Sequence, residues 1–574
     1  MPQLSPRRNV YDVCVIGSGA GGGTAAKVLT EGGLNVVMLE AGPRLTPEKD
    51  FKEHVWPYEL AHRGAGVGGK GRLQFDDEFL APNGFWEIEG EPYTTAPGST
   101  FRWFRSRIEG GRTNHWGRIA LRFGEADFRA RSTDGMGDDW PISYQDLAPY
   151  YDKVESFIGV YGTKENVPNS PGGDVYLPPP RPRCTDTVVK KACDKLHIAC
   201  IPGRMAILTR PLNGRPACHY CAQCGRGCIT ASNFSSSQVM IPVAQATGRF
   251  TLIPNAMARE IVVGKSGKAE AVSYIDKATR SESQVYAKAF VVAASACESA
   301  RLLLNSRSSS FPDGLANSSG VVGRYLTDSV GSSLTGHFPQ LEGVPAHNHD
   351  GTGGLHMYVP WWLFGQKNDF LRGYHIEFGG GPHMPMPGSF DGVCEEHEGY
   401  GAALKQKCRR SYGTFIGFGG RGEMIPNENS FCELDPDVVD RWGIPVLRFH
   451  WQWGENELKM AQHMQETFRS IIEAARGTVH VSVNNHAQTG SRGRAASLLE
   501  GGEVIHELGT VRMGNEPKTS ALNSHCQAHD VKNIFVADAA PFVTNPDKNP
   551  TLSIMALSWR TSEYLLDQAR KGEV

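Results

Sequence analysis

Apolar residues first gather in Tyr11-Asp-Val-Cys-Val-Ile-Gly17, a short β-branched run closed by glycine, which predicts a strand buried on both faces of a parallel sheet. A helical stretch follows through Thr30, and the next apolar run, Asn35 to Glu40, predicts a second strand. Strand followed by helix recurs at Val291-Val-Ala-Ala-Ser-Ala-Cys-Glu-Ser-Ala-Arg-Leu-Leu-Leu. Near the far end, Val531 to Ala540 predicts a strand that runs into an acid, Asp538. The period changes in between: Val446-Leu-Arg-Phe-His-Trp alternates as a half-buried strand does, and Glu455 to Ala475 predicts a helix. The chain therefore reads as α/β, with an α+β section where the strands alternate.

Length and composition narrow this picture. With 574 residues, 40% hydrophobic and 21% charged, the chain is long enough for two or more cores. A net charge of −2 leaves no electrostatic footprint for nucleic acid or an anionic membrane. No apolar run is long enough to span a bilayer. The 66 glycines suit an α/β protein with many tight turns near ligands. Arg7-Arg8 leads straight into the first strand without a separate apolar segment, so no signal peptide is expected. Outside one dense run, nine cysteines are scattered, which points to reduced, buried thiols and folding in the cytoplasm. Gly64-Ala-Gly-Val-Gly-Gly-Lys-Gly is expected as a loop beside a cofactor, since no Walker pattern follows.

Chemistry concentrates at a few places. Gly17-Ser-Gly19-Ala-Gly-Gly22 links the first strand to the first helix. There Gly17 makes the tight turn, Gly19 admits a pyrophosphate, and Gly22 lets helix pack on strand. The helix amino terminus then presents its positive end to phosphate. Glu40 ends the second strand, where an acid accepts hydrogen bonds from ribose hydroxyls. Ser106-Arg-Ile-Glu-Gly110-Gly111-Arg-Thr-Asn114-His115-Trp116 is a second close-approach glycine turn. The dense run, Cys218-His-Tyr-Cys221-Ala-Gln-Cys224-Gly-Arg-Gly-Cys228, has the C-x2-C-x2-C-x3-C spacing of iron–sulfur proteins, but a zinc knot or two disulfides fit the count as well. Inside it, His219 and Tyr220 are read as packing groups around the thiols.

Taken together, the amino-terminal motif, Gly110-Gly111 with Asn114, the Val291 strand–helix, His506-Glu-Leu-Gly509-Thr510, Ala537-Asp538-Ala539 and Asn549-Pro550-Thr551 resemble the glucose–methanol–choline (GMC) flavoprotein family over nearly the whole chain. Asn549-Pro550-Thr551-Leu552 resembles its pyranose oxidase and gluconate dehydrogenase branch, and the cysteine run resembles catalytic subunits of bacterial FAD and iron–sulfur glucoside 3-dehydrogenases. The resemblance implies a discontinuous Rossmann-like FAD-binding domain from 1–165, 235–325 and 500–574. It also implies a cysteine-rich insertion at 166–234 and a substrate domain at 326–499 on an antiparallel or mixed sheet.

For chemistry, the same likeness implies His506 as the base and Asn549 as its partner across the substrate hydroxyl. On residues alone, His506 reads first as a core histidine, and Asn549 has a rival reading as a turn residue before proline. Gly111, Asn114, His115, Asp538 and Thr551 join Gly17, Gly19, Gly22 and Glu40 as cofactor residues. His115 stands where pyranose oxidases bond covalently to the flavin; it either does so or packs beside it. Cys218, Cys221, Cys224 and Cys228 would hold a [4Fe–4S] or [3Fe–4S] cluster. The implied activity is oxidation of a ring hydroxyl of a sugar or glycoside, at C3, by hydride loss to flavin. A small escort subunit would carry an export signal to the periplasm, with a c-type cytochrome as acceptor; without it the chain stays cytoplasmic. Two alternatives stand beside this: an oxidase using dioxygen with the cysteine run structural, and a subunit that binds sugar without turnover. Trp361, Trp362 and Tyr374 are candidates for sugar stacking or for core packing.

Overall fold

A computed structural model describes residues 9–56, 59, 82–345, 351–382, 393–394, 397–480 and 498–574. Arg7-Arg8 and the Gly64–Gly71 stretch lie outside the described residues.

The larger sheet contains β1 (Val10–Ile16), β2 (Val36–Leu39), β3 (Phe250–Ile253), β4 (Ala256–Val263), β5 (Ala269–Asp276) and β6 (Glu282–Val292), in the order β3-β2-β1-β6-β5-β4. The strand Ile534–Val536 adds to β6 in parallel. β3, β2, β1 and the second half of β6 run parallel, whereas β4, β5 and the first half of β6 form an antiparallel meander. Period two explains why β1 lies in the middle. Val13 and Val15 face one apolar cluster with Ala25, Leu29 and Leu566, while Cys14 and Ile16 face another with Phe290 and Val292. The helices α1 (Ala20–Glu31) and, at the end of the chain, α2 (Thr551–Lys571) cover the first of these faces. Register aligns the carboxyl ends of three strands: Ile16 pairs with Val292, and Val292 with Val536. Ligands of open α/β sheets bind at such carboxyl ends.

A second sheet is wholly antiparallel. β7 (Val330–His337), β8 (Tyr374–Gly380) and β9 (Phe415–Gly422) take the order β8-β9-β7, followed by the short strand Thr478–Val479. The helix Glu455–Ala474 lays Met460, Met464, Phe468 and Ile472 against it. Tyr374, Ile376 and Phe378 of β8 enter this core, so His375 and Glu377 share the opposite face. Tyr374 donates or accepts through its hydroxyl with His463 and Thr467, and Trp361 packs on its ring. For these two aromatics, core packing is the role observed. The alternating strand, Pro445–His450, belongs to neither sheet; it pairs with Phe431–Val439 and Thr94–Thr95. Among the described residues no helix is long and apolar enough to cross a membrane.

Candidate active site

A cavity of about 300 Å³ lies at the carboxyl ends of the parallel strands. Gly17, Gly19, Glu40 and Gly111 line one part of it, and His115, His506, Asn549 and Thr551 another. Gly17 has φ +99°, and a Cβ there would lie 2.3 Å from the Ala293 carbonyl oxygen, so only glycine fits. At Gly22 a Cβ would lie 1.9 Å from the Gly17 oxygen, which seats α1 directly on the turn. α1 begins with no side-chain cap and no acid in its first turn, leaving amide groups for an anion. Glu40 accepts from the Ser18 amide at 3.2 Å, from the Ser18 hydroxyl, and from the Gly42 amide at 2.7 Å. Its carboxylate thus braces the phosphate turn and retains further lone pairs for a ribose. These glycines, the bare helix end and the acid fit an adenine dinucleotide such as FAD.

Asn114 and Asp538 serve as supports, and Gly22 holds the helix-seating place expected of it. Gly22 and Asn114 do not line the cavity. Asn114 is buried behind the second glycine turn, donating to the Glu109 and Gly111 carbonyls and accepting from Ser237 Oγ. Asp538 reaches the cavity wall, but its carboxylate accepts from the Ser295 and Ala540 amides and from Ser299 Oγ. It therefore holds the start of the helix Ala296–Asn305 against the strand end. Burial raises its pKa to about 6. His115 shares a hydrogen bond with Ser106 Oγ at 3.2 Å and stands edge-on to Phe104.

The structure brings His506 and Asn549 together: Asn549 Nδ2 lies 3.4 Å from His506 Nε2. The other ring nitrogen, Nδ1, lies 3.0 Å from Ser329 Oγ. The Asp328 carboxylate accepts the His506 backbone amide at 2.9 Å. Burial, reinforced by the Arg421 guanidinium, pushes His506 down to about 3, so the ring is neutral at physiological pH. Asn549 Nδ2 also donates to Glu377 Oε1 at 3.2 Å, and Asn549 Oδ1 is buried without a partner among the described residues. Burial alone would raise the Glu377 carboxyl, but Arg421, His375 and Asn549 outweigh it and hold it down to about 2. Lys548, next to Asn549, is buried against Asp127 and Asp547. Sequence reasoning missed Ser329, Glu377 and Lys548. A trace existed for one: a charge at 377 in the alternation Tyr-His-Ile-Glu-Phe is anomalous for a buried strand.

The cysteine run follows a different geometry. Cys218, Cys221 and Cys224 are partly exposed and Cys228 is buried. Cys218 Sγ accepts the Tyr220 amide at 3.4 Å, and Cys221 Sγ the Gln223 amide at 3.5 Å. His219 and Tyr220 are exposed, and His219 stands beside Cys221. Among the described residues one group brings three ligand atoms within 4.8 Å of one another: Glu53, His219 and Cys221. No three of the four thiols do so. Burial pushes Cys218 up to about 11 and Cys221 up to about 12, and a bound metal would deprotonate both. The Arg118 guanidinium interacts with Cys224 and Cys228 and donates to the Asn114 and Trp116 carbonyls. It thereby ties the run to the segment whose His115 and Trp116 line the cavity. Of the nine dispersed cysteines seven are buried.

Sheet, glycine cradle and imidazole–amide pair define a dinucleotide-dependent oxidoreductase. The chain belongs to the GMC oxidoreductase family, whose two models match residues 93–337 and 426–558. It is 32% identical over 570 residues to 2-methyl-1,2-propanediol dehydrogenase of Mycolicibacterium austroafricanum, covering 96% of this chain and 95% of that one. With the fructose dehydrogenase large subunit of Gluconobacter japonicus it shares 26% identity across 98% of both chains. Pyridoxine 4-oxidase from Mesorbium loti has the same fold, with a TM-score of 0.61 at 15% identity over 97% of this chain and 99% of that one. The protein is therefore an FAD-type enzyme acting on CH–OH groups, as its family does.

Proposed function

We propose that this protein is a dehydrogenase oxidising a secondary ring hydroxyl of a sugar or glycoside, at C3, to a ketone. The observation that carries the reading is the neutral His506 with Nε2 beside Asn549 at the cavity wall. FAD, when bound along Gly17, Gly19, Glu40 and Thr551, supplies the hydride acceptor. His506 Nε2 takes the hydroxyl proton as the C–H bond breaks, and Ser329 Oγ holds the ring in place through Nδ1. The neighbouring Glu377 carboxylate stabilises the imidazolium so formed.

The four cysteines would hold an iron–sulfur cluster, which supplies one-electron transfer to an external carrier. Support comes from the C-x2-C-x2-C-x3-C spacing of the thiols and from Arg118, which ties them to the cavity segment. The name of the Gluconobacter relative, a large subunit, supports a partner chain. We extend this to a small escort subunit bearing an export signal, a c-type cytochrome acceptor and residence in the periplasm. His115 is proposed as the flavin attachment point.

The test is anaerobic purification followed by a screen of glycosides and diols with a one-electron dye. Iron and acid-labile sulfide beside flavin bands, a 3-keto product and loss of turnover in His506→Ala are expected. Flavin without iron would remove the cluster. Hydrogen peroxide formed at the rate of substrate oxidation would make the protein an oxidase.

A further inference from the structure

We propose that Glu377 is a positioning residue: it fixes which way round the Asn549 amide stands, and through it which nitrogen of His506 carries the ring proton and which the accepting lone pair. The inference rests on the reading of His506 and Asn549 given above. An ionised carboxylate only accepts hydrogen bonds. Glu377 Oε1 lies 3.2 Å from Asn549 Nδ2 and 3.1 Å from His375 Nε2, so each of these must donate to it. The amide nitrogen is thereby turned toward Glu377, and the same nitrogen lies 3.4 Å from His506 Nε2.

Nε2 must then be the accepting nitrogen, which leaves the ring proton on Nδ1, facing Ser329 Oγ. Ser329 Oγ in turn donates to Asn545 Oδ1 at 3.4 Å, so every member of the chain has one consistent direction. The cost of the arrangement is visible: Asn549 Oδ1 is left buried with no partner among the described residues. A free amide would turn to satisfy that oxygen; the carboxylate prevents it. The low proton affinity of Glu377 keeps it an acceptor throughout the physiological range.

The charged groups facing His506 are Arg421 from β9, Glu377 and His375 from β8, and Arg112 from the Gly111 turn. Glu377 is the anion among these four and favours proton uptake by the base, while the Asp328 carboxylate lies against the His506 backbone amide. Neutralising it makes His506 a weaker base and frees the amide to turn over.

Glu377→Gln keeps the shape of the side chain and removes both effects. Stopped-flow flavin reduction at saturating substrate should slow about tenfold or more, part of the about 100- to 10,000-fold that a positioned general base contributes. Substrate affinity should change by less than about threefold, because the lost interaction acts in the transition state. The slowing should vary with pH, and Glu377→Asp should recover part of the rate. Flavin content and melting temperature identify a variant that has not folded, in which case Glu377→Asp alone decides through its rate and pH profile. Reduction at the wild-type rate with an unchanged pH profile, in a folded Glu377→Gln protein, overturns the proposal. If His506→Ala also reduces flavin normally, the assignment of the base has failed instead.

Discussion

At the residue scale, His506 shows how environment sets chemistry. Its ordinary pKa is 6.5, and burial with Arg421 lowers it to about 3. A base needs a free lone pair at working pH, and this displacement keeps one available well below neutrality. The sign for stability follows. Between pH 6.5 and about 3 the unfolded chain binds a proton that the folded chain does not, so stability falls as pH drops through that window. Denaturation midpoints of the native protein and His506→Gln, measured at pH 7 and pH 5, should converge in acid as the native protein loses this contribution. A constant difference between them would refute the neutral, buried ring.

Legibility at this scale was uneven. Gly17 and Gly22 could be read because a local turn dictates them, and no Cβ fits at either. Glu377 left only a trace, because its partners His506 and Asn549 lie more than a hundred residues away in the chain.

Elements determine where those side chains stand. Asn549 sits on the short segment before α2, and two contacts hold that segment. His375 donates to the Asp547 carbonyl, and Lys548 Nζ lies 2.9 Å from Asp127 Oδ2 and 2.5 Å from Asp547 Oδ1. All three charged groups of the lysine network are buried. Lys548→Met would leave two buried carboxylates without their cation, and breaking such a buried pair costs about 3–5 kcal/mol. Urea denaturation should show a loss of that order, together with slower flavin reduction because Asn549 is released. A loss under about 1 kcal/mol would mean that the site is solvated, as exposed pairs are. The helix Glu455–Ala474 ended within one residue of expectation, because its apolar stripe is a local signal. By contrast, the alternation of Val446–Trp451 established a strand without its partner. Period two records which residues face inward and not which edge is adjacent.

For the whole molecule, the decisive event is the gathering of three strand ends. Gly17, Ala293 and Ala537 come from distant parts of the chain and meet at one edge of the larger sheet. A Cβ on Gly21 would lie 1.6 Å from the Ala537 oxygen, so α1 depends on the carboxyl-terminal strand for its seat. A ligand laid across this junction bears on all three pieces. Added FAD should therefore stabilise the flavin-free protein, by about 2.7 kcal/mol at a hundred times its dissociation constant. The melting temperature should climb with FAD concentration for the native chain and hardly move for Gly17→Val. Equal shifts in both would place the flavin elsewhere.

Local rules determined much of this protein from the sequence alone. They specified the strand–turn–helix at Gly17, the acid at Glu40, the cysteine spacing at 218–228, and the motifs that mark the family. These depend on near neighbours in the chain, where steric limits and hydrogen-bond reach leave few choices. The meeting of His506 with Asn549, Glu377 behind them, Lys548 beneath them, and the turning of Asp538 and Asn114 into supports were decided only by tertiary structure. Each is a contact between segments far apart in sequence, and its distance and direction exist only once both sheets have packed.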